Sequence, residues 1–531
     1  MAFNRGNYQR LAQSSSDFLH EPPDVGVKDR PTLRRLFPLR SRTIRRFLSR
    51  ICRPFNLLFI LLLSLAIQLL FNGSYLDGSA PVFEPDMKEK VFIAANIVDG
   101  DLISNTWGPR LVSLVDLIGP ERVFVSIYGA PKDALLRLAE MLKCEHKIIS
   151  EELEPIDLNN IPRTLLPDGT RRIKRIAFLA EVRNKALEPL KELEDQGKEF
   201  EKILFINDVY FSPSEAIRLL WGTNVNAHGK AEYKAACAAD FVTSWKYYDT
   251  FATRDAEGYS LGVPIFPWFS SSGDAVSRKD VLAGRDFVRV KSCWGGMVSF
   301  DARFFMIKYA NITKAMSSAA PKPMISPSSN AISTLPVRFR SEPEPFWDSS
   351  ECCLVHADII ALPSFYSSSP TASEYDTGIF LNPYVRTAYS AGTFAWIPFT
   401  KRFERLFTPI QGLLNHLANM PSYNYRRTEV SEQTVNDPAW VTYNFTHDNT
   451  ESNNNSLSSQ IKHAPKDLTG TKEYWLQYGF YKQVQRVATR GGYCGVRQLM
   501  VLKEEGFPQE NNGKGGQNWD NLLRMIPPFD F

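Results

Sequence analysis

The chain has 531 residues with a net charge of +4, so it can hold a large core and, by length, about two to four domains. The charge is uneven: residues 1–54 contain twelve Lys and Arg against four acidic residues, and the rest of the chain carries −4. Because the basic character belongs to the N-terminal tail, the remaining chain does not have the charge of a nucleic-acid binder.

Residues 55–71 contain no charged side chain, which predicts a transmembrane helix at the short end of the spanning range. A cleaved signal peptide is the alternative, but its charged region would have to include most of the preceding tail. The arginines from Arg30 to Arg53 place the N-terminus in the cytosol. We therefore predict a largely disordered cytosolic tail (1–54), a single-span signal anchor (55–71), a stem (72–89) and a lumenal remainder.

Six of the seven cysteines lie beyond the predicted span. An even number of cysteines in an oxidising lumen predicts disulfides, with buried free thiols as the alternative. The pairing stays open. The six are Cys144, Cys237, Cys293, Cys352, Cys353 and Cys494.

Strands and helices alternate from residue 90 onward. Strands are predicted at 91–98, 122–128 and 147–149, with an amphipathic helix after each of the first two. This alternation predicts a Rossmann-like, mainly parallel sheet with flanking helices. We assign 90–400 to one lumenal domain with a Ser- and Pro-rich inserted loop at 315–345, and 401–531 to a C-terminal extension packed on it.

The apolar run 203–206 predicts a buried strand, and Asn207 and Asp208 follow it directly. Ser212 and Pro213 then predict the start of a helix. Asp208 would lie at the rim where α/β sheets bind ligands, and a divalent ion that bridges two phosphates needs such a carboxylate. The alternative is an Asx-turn without further function.

A helix is predicted over 175–194, and Arg183 lies on its inner face, seven residues after Ile176, with Asn184 beside it. A buried arginine is costly unless it is paired. A diphosphate would be a suitable partner because guanidinium binds phosphate with forked geometry. A structural salt bridge is the alternative.

Two further sets of residues are candidates for the donor and metal site. Asp99 and Asp101 follow the first strand at the same rim, with ordinary turn chemistry as the alternative. His356 lies in an acidic, cysteine-containing stretch that resembles a strand edge, and it could be a second metal ligand or a core residue.

Trp294 precedes Gly295 and Gly296, a pair that would let an acceptor approach the backbone beside an indole wall. The alternative is a tight turn next to a core tryptophan. Cys352 and Cys353 lack the paired spacing of a structural zinc site, so zinc is not predicted there.

Several strings together resemble the fungal capsule-associated α-1,3-mannosyltransferase family, glycosyltransferase family 69. The resemblance extends over about Val91 to Tyr389 and is carried by FIAANIVDGD, RIAFLAEVRNKAL, ILFINDVYFSP, CAADFVTSWKYYDTFATRD, KSCWGGMVSFDA, ECCLVHADI and DTGIFLNPYVRTAY. It implies a GT-A-like fold, a type II Golgi membrane protein, a GDP-mannose donor, Mn²⁺ dependence and retention of the anomeric configuration.

The resemblance also implies roles for individual residues. Asp208 would take the place of the metal-binding Asp-x-Asp motif, although Ile206 stands where its first Asp would be. His356 would match a late metal ligand, and Arg183 the basic residue at the diphosphate.

The predicted function is transfer of mannose from GDP-mannose to a mannoside, glycan or polysaccharide. Asp99, Asp101, Asn184 and Asn207 are predicted at the nucleotide sugar, and Glu351 is a candidate near the reacting carbon. Other Golgi glycosyltransferases are possible partners. The alternative is a non-catalytic membrane protein that supports capsule or cell-wall assembly or export.

Overall fold

The computed structural model describes residues 54–71, 74–86, 88–166, 170–309, 335–363, 365, 375–442, 479–504 and 518–522. The predicted tail, apart from Pro54, lies outside these residues. So does most of the predicted inserted loop, of which only 335–345 is described.

The helices and strands are labelled in chain order. The helices are α1 (Pro54–Phe71), α2 (Gly100–Leu102), α3 (Gly108–Ile118), α4 (Lys132–Met141), α5 (Arg175–Asp195), α6 (Pro213–Trp221), α7 (Val276–Leu282), α8 (Glu351–Ile360), α9 (Ala391–Thr400) and α10 (Phe407–Leu417). The strands are β1 (Val91–Ile97), β2 (Val123–Gly129), β3 (Glu145–Ser150), β4 (Arg163–Leu165), β5 (Arg171–Ile173), β6 (Lys202–Ile206), β7 (Ala235–Thr243), β8 (Lys246–Tyr247), β9 (Arg254–Asp255), β10 (Val288–Ser292), β11 (Met297–Asp301), β12 (Asp348–Ser349), β13 (Ile379–Ala388), β14 (Thr434–Thr442), β15 (Gly479–Val487), β16 (Gly495–Val496), β17 (Met500–Leu502) and β18 (Trp519–Asn521).

The main sheet has the order β3-β2-β1-β6-β11-β7-β13-β10-β9, with β8 paired to β7. β3, β2, β1 and β6 are parallel, and β7 pairs in parallel with β13. β11 is antiparallel to both β6 and β7, so the carboxyl ends of β1, β6 and β7 lie at one edge. The predicted mixed, mainly parallel α/β sheet is confirmed.

Helices cover both faces of this sheet. Alternate residues of β1 point to opposite faces: Phe92 and Ala94 join a core with α5 and α8, and Ile93 joins a second core with α3 and α6. Because both faces are buried, the strands consist of nearly continuous apolar residues, as predicted for β6.

The apolar segment 55–71 forms helix α1, whose described side chains are largely exposed. No helix within the described ranges is long and apolar enough to cross a membrane. The predicted transmembrane span is therefore not found.

Two disulfides link distant parts of the chain. Cys237 on β7 bonds to Cys293, and Cys353 on α8 bonds to Cys494 near the C-terminus. The other two cysteines in the described residues, Cys144 and Cys352, are buried thiols. Burial raises the pKa of both thiols. Both sequence alternatives, disulfides and buried thiols, thus occur in the fold.

The C-terminal region is also held by a buried arginine. The Arg254 guanidinium donates to the backbone carbonyls of Tyr493 (2.6 Å), Cys494 (3.0 Å) and Phe251 (2.9 Å). Together with the disulfide, these bonds attach residues 493–494 to α8 and to β9.

Replacing Cys494 with alanine is expected to lower the free energy of unfolding by about 2–5 kcal/mol. The Cys353–Cys494 bond closes a loop with a sequence separation of 141 residues, which restricts the unfolded chain. Urea denaturation would measure the loss, with Cys144→Ala as the control because that cysteine is also buried but forms no disulfide. Equal losses in the two variants would contradict a stabilising role for the bond.

Candidate functional site

A cavity of about 130 Å³ lies at the edge of the sheet where β1, β6 and β7 end. Its walls come from the start and middle of α5, the turn after β6, the end of β7 with the loop after β8, and the start of α8. The polar side chains in these walls are Asn96, Arg175, Arg183, Asn207, Asp208, Asp240, Tyr248, Asp249, Thr250, Ser350, Glu351 and Tyr389.

Asp208 lies where the sequence predicts it, directly after β6 and before α6. Burial raises the pKa of its carboxyl to about 6, while the Arg183 guanidinium lowers that pKa and the Asp99 carboxylate raises it. A carboxylate whose ionised form is disfavoured by burial gains from a nearby cation.

Arg183 lines the same cavity, with its guanidinium between two predicted site residues. It donates to Glu351 Oε1 (3.0 Å) and Asn207 Oδ1 (3.2 Å), and it lies over the Trp294 ring, 4.4 Å from the ring centroid. Burial alone would lower the pKa of Arg183, but the acidic groups of Cys352 and Glu351 raise it overall. The structure thus shows the salt bridge of the alternative interpretation, with Glu351, and the predicted contact of Arg183 with a diphosphate stays a prediction.

Asp99 and Asp101 are exposed at the same edge but do not line the cavity. Asp99 Oδ1 accepts from the Leu102 amide (3.0 Å) and so caps the helix that begins there. Asp99 is still close enough to raise the pKa of Asp208. Their predicted contact with a nucleotide stays a prediction.

Asn184 is not brought into the cavity. Its side chain donates to the Phe339 carbonyl (2.9 Å) and accepts from the Phe339 amide (3.0 Å). These two bonds hold the backbone of Phe339 beside α5, so the role of Asn184 in the fold is structural.

His356 does not join Asp208, because the segment predicted as a strand edge is helix α8. Glu351 at the first position lines the cavity, and His356 lies five residues later, about 140° around the helix. Its ring faces the core: Nδ1 is 2.6 Å from the Cys352 carbonyl oxygen and Nε2 is 3.9 Å from Cys237 Sγ. Burial lowers the pKa of His356 to about 4.

The described residues include one group of three possible metal-ligand atoms, from Cys237, Cys293 and His356. The two sulfurs of this group are already bonded to each other. Because a disulfide sulfur is not a thiolate ligand, this group is not a metal site.

Gly295 and Gly296 form a turn against β7 and β6. Both have positive φ, and a Cβ on Gly295 would lie 1.7 Å from the Ala238 carbonyl oxygen. The Gly296 carbonyl accepts from the Asn207 amide (2.9 Å), so this turn holds the corner that carries Asp208. Trp294 lines the cavity, while the predicted acceptor role of the two glycines stays a prediction.

Sequence reasoning missed two acids that line this cavity, the fully buried Asp240 and the half-buried Asp249. Asp240 Oδ2 accepts from the Tyr389 hydroxyl (2.9 Å) and Oδ1 from the Asp249 amide (3.0 Å). Asp249 accepts from the Ala252 amide (2.9 Å) and the Thr253 hydroxyl (3.2 Å). An acid inside the apolar strand AACAADFVT was the available signal, since unpaired carboxylates are almost never fully buried.

A second arginine was also missed. Arg175, the first residue of α5, is buried and lines the cavity, and its Nε has no hydrogen-bond partner. Within the described part of the chain no ion pair reaches it, and its guanidinium lies 5.7 Å from the centroid of the Trp519 ring. Burial lowers the pKa of Arg175. The Glu351 and Asp348 carboxylates oppose that lowering without contacting the guanidinium in an ion pair. A buried guanidinium whose Nε has no partner could still accept a bound anion.

The melting temperature of the ligand-free protein is expected to fall as the pH rises through about 8. Burial and the neighbouring Asp249 raise the pKa of Asp240 to about 8. The folded protein thus holds a proton that the unfolded chain releases near pH 4. That stabilising contribution is complete below about pH 4 and is lost as the pH rises through about 8. Asp240→Asn should flatten the fall in a thermal scan across this range.

The exposed Asp195→Asn is a suitable control for that scan, because it changes the same chemical group at the end of α5. If Asp240→Asn and Asp195→Asn lost stability with the same slope between about pH 4 and pH 8, the shifted pKa of Asp240 would be disproved.

Comparison with known proteins gives a family match. Residues 90–358 match the family model described as Cryptococcal mannosyltransferase 1, which is just over half of the chain. The α-1,3-mannosyltransferase CMT1 of Cryptococcus neoformans is 27% identical over 217 residues, which are 37% of this chain and 43% of that protein. The alignment thus spans less than half of that relative.

Two solved structures share similarity at low scores. The mannosyltransferase PcManGT from Pyrobaculum calidifontis, solved with GDP-Man and Mn²⁺, has a TM-score of 0.27 at 10% identity, over 67% of this chain and 78% of that one. Glucosyl-3-phosphoglycerate synthase from Mycobacterium tuberculosis has a TM-score of 0.27 at 10% identity, over 67% and 88%. Structural similarity at these scores assigns no role to the residues that line the cavity.

Proposed function

The chain belongs to the Cryptococcal mannosyltransferase 1 family, and from this membership we propose that it is a retaining α-1,3-mannosyltransferase. The proposed donor is GDP-mannose, and the acceptor is a hydroxyl of a mannoside, glycan or polysaccharide. The fold would be of the GT-A type, with the donor at the carboxyl edge of the sheet.

The observation that carries the proposal is the meeting of Asp208, Arg175 and Arg183 in one cavity. A nucleoside diphosphate leaving group carries negative charge that must be neutralised as the glycosidic bond breaks. The half-buried Arg183 guanidinium and the buried Arg175 guanidinium, whose Nε has no partner, offer this neutralisation at the edge where the sheet ends.

The residues present fit a divalent cation held mainly by its substrate. Asp208 is half-buried, with a raised pKa, and within the described residues the cavity has no group of three His, Cys, Asp or Glu ligand atoms. Ions of the Mg²⁺ type use one or two carboxylates together with substrate phosphates and water. Asp208 would hold such an ion, for which we propose Mn²⁺, and the ion would supply Lewis-acid stabilisation of the diphosphate.

Other residues would orient the donor and acceptor. Glu351 and Asn207 fix the Arg183 guanidinium, and the Trp294 ring supports it from one side. The Trp294 Nε1 is buried and has no hydrogen-bond partner in the described residues, so a sugar oxygen in the cavity would be a suitable acceptor for it. Glu351 is thus proposed as a positioning residue for Arg183.

We also propose that the catalytic domain is in the lumen of the Golgi. The two disulfides support this location, because such bonds persist in oxidising compartments. Protease protection in intact Golgi vesicles would test it: digestion of the catalytic domain without detergent would reject a lumenal location.

The proposed activity is tested by GDP release from GDP-mannose with the purified full chain, Mn²⁺ and an α-mannoside acceptor. Turnover that depends on acceptor and metal, with an α-1,3-linked product by NMR, is expected. A folded chain that released no nucleotide from several donors and acceptors would instead favour a non-catalytic role in polysaccharide assembly.

A further inference from the structure

Helix α10 packs against the domain with its polar side. Gln411 is fully buried and Asn415 nearly so, although both are amides. The Gln411 side chain donates to the Val263 and Phe269 carbonyls (3.2 and 3.3 Å), and Asn415 Oδ1 accepts from the Val263 amide (2.6 Å). Arg278 also donates to Gln411 Oε1 (2.5 Å). These bonds fix the rotation of α10 about its axis.

This rotation turns the apolar residues of α10 outward, which is the reverse of an ordinary surface helix. Leu413 is 60% exposed and Leu417 is 70% exposed. Helix α9 and the β7–β8 turn add exposed aromatic rings beside it, and Trp245 stacks on Phe407 at the start of α10. We call the following six residues the apolar face: Trp245, Trp396, Phe399, Ile410, Leu413 and Leu417.

The exposed charged side chains of the segment that carries α9 and α10 are basic and not acidic. Between Ala391 and Tyr423 the single acidic residue is Glu404, which is buried and bonded to Arg386. Arg402 in the same segment is exposed. The apolar face is rich in Trp, Phe and Leu, and α9 and α10 carry no exposed carboxylate. This composition, with a basic side chain nearby, is typical of surfaces that bind at the membrane interface.

We propose that the apolar face docks onto the surface of a lipid bilayer. α9 and α10 would lie in the interface, with the leucine and aromatic side chains about 5–10 Å into the boundary of the acyl chains. Exposed apolar patches mark protein–protein or membrane interaction sites, and the absence of an exposed carboxylate on α9 and α10 favours the membrane here. The buried amides of Gln411 and Asn415 maintain the outward orientation whether or not a bilayer is present.

The test uses a fluorophore on the full chain, attached at Leu413→Cys, with vesicles of phosphatidylcholine that carries brominated acyl chains. We expect quenching by at least about half, because bromine quenches groups that reach the acyl region. Leu136→Cys is the matched control: it is an exposed leucine on α4, next to β3 at the other edge of the sheet. Its label should not be quenched, although the same chain binds the same vesicles.

A second variant tests the face itself. Adding Leu417→Glu to the labelled chain should reduce the quenching at position 413, while circular dichroism shows an unchanged fold because Leu417 is exposed. A label at 413 that is unquenched on vesicle-bound protein would overturn the proposal. Concentration-dependent self-quenching at 413 without vesicles would also overturn it, because the face would then join two copies of this chain.

Discussion

Asp208→Asn is expected to lower turnover by about 100- to 1,000-fold, the usual cost of removing one group that stabilises developing charge. The amide has nearly the same shape, so the corner after β6 should keep its geometry. It cannot supply the negative charge that a divalent cation requires, and the loss should therefore appear in the chemical step. GDP release at saturating donor would measure it.

The matched control is Asp195→Asn, which removes a carboxylate from an exposed position. It should retain full turnover. The Asp208 variant should also need more Mn²⁺ for half-maximal residual activity. Full activity of Asp208→Asn, with an unchanged Mn²⁺ requirement, would show that Asp208 does not bind the metal. The proposed metal-dependent role of the cavity would then be rejected.

The position of Asp208 was predictable because every signal for it is local. The buried strand, the polar corner and the helix start lie within about a dozen consecutive residues, and the structure has β6 and α6 where expected. Arg183 was predictable for a similar reason, because its place on the inner face of α5 follows from helical spacing to Ile176.

His356 could not be placed by the same means. A short, partly apolar segment such as Leu354–Ile359 suits a strand or a helix, and periodicity over so few residues does not separate them. Because this segment is the helix α8, the Glu351 side chain lines the cavity. The His356 ring lies against the Cys237–Cys293 disulfide instead.

The missed residues depend on contacts that are distant along the sequence. Asp240 and Tyr389 are 149 residues apart and meet because β7 and β13 pair in parallel. Arg175 has an Nε without a partner, which becomes visible only when the surrounding residues are in place. A single sequence shows the residue types but does not show which distant residues are in contact.

The two arginines of the cavity are expected to behave in opposite ways when each is replaced by methionine. Arg183→Met leaves the Glu351 carboxylate buried without its partner, so the free energy of unfolding should fall by about 3–5 kcal/mol. Arg175→Met removes a buried charge that forms no ion pair within the described residues, and burial outweighs the pull of the Glu351 and Asp348 carboxylates on its pKa, so the ligand-free protein should be as stable as the parent or more stable.

Donor binding should nevertheless fall in Arg175→Met, by about 100-fold in affinity for GDP with Mn²⁺, because a buried guanidinium that contacts phosphate is lost. Calorimetric titration would measure the affinity and urea denaturation the stability. If Arg175→Met gains stability and loses affinity for GDP, the charge of Arg175 serves ligand binding and not the stability of the fold. If Arg175→Met lost stability and kept its affinity for GDP, Arg175 would be a structural residue and the anion would have to bind through Arg183 alone.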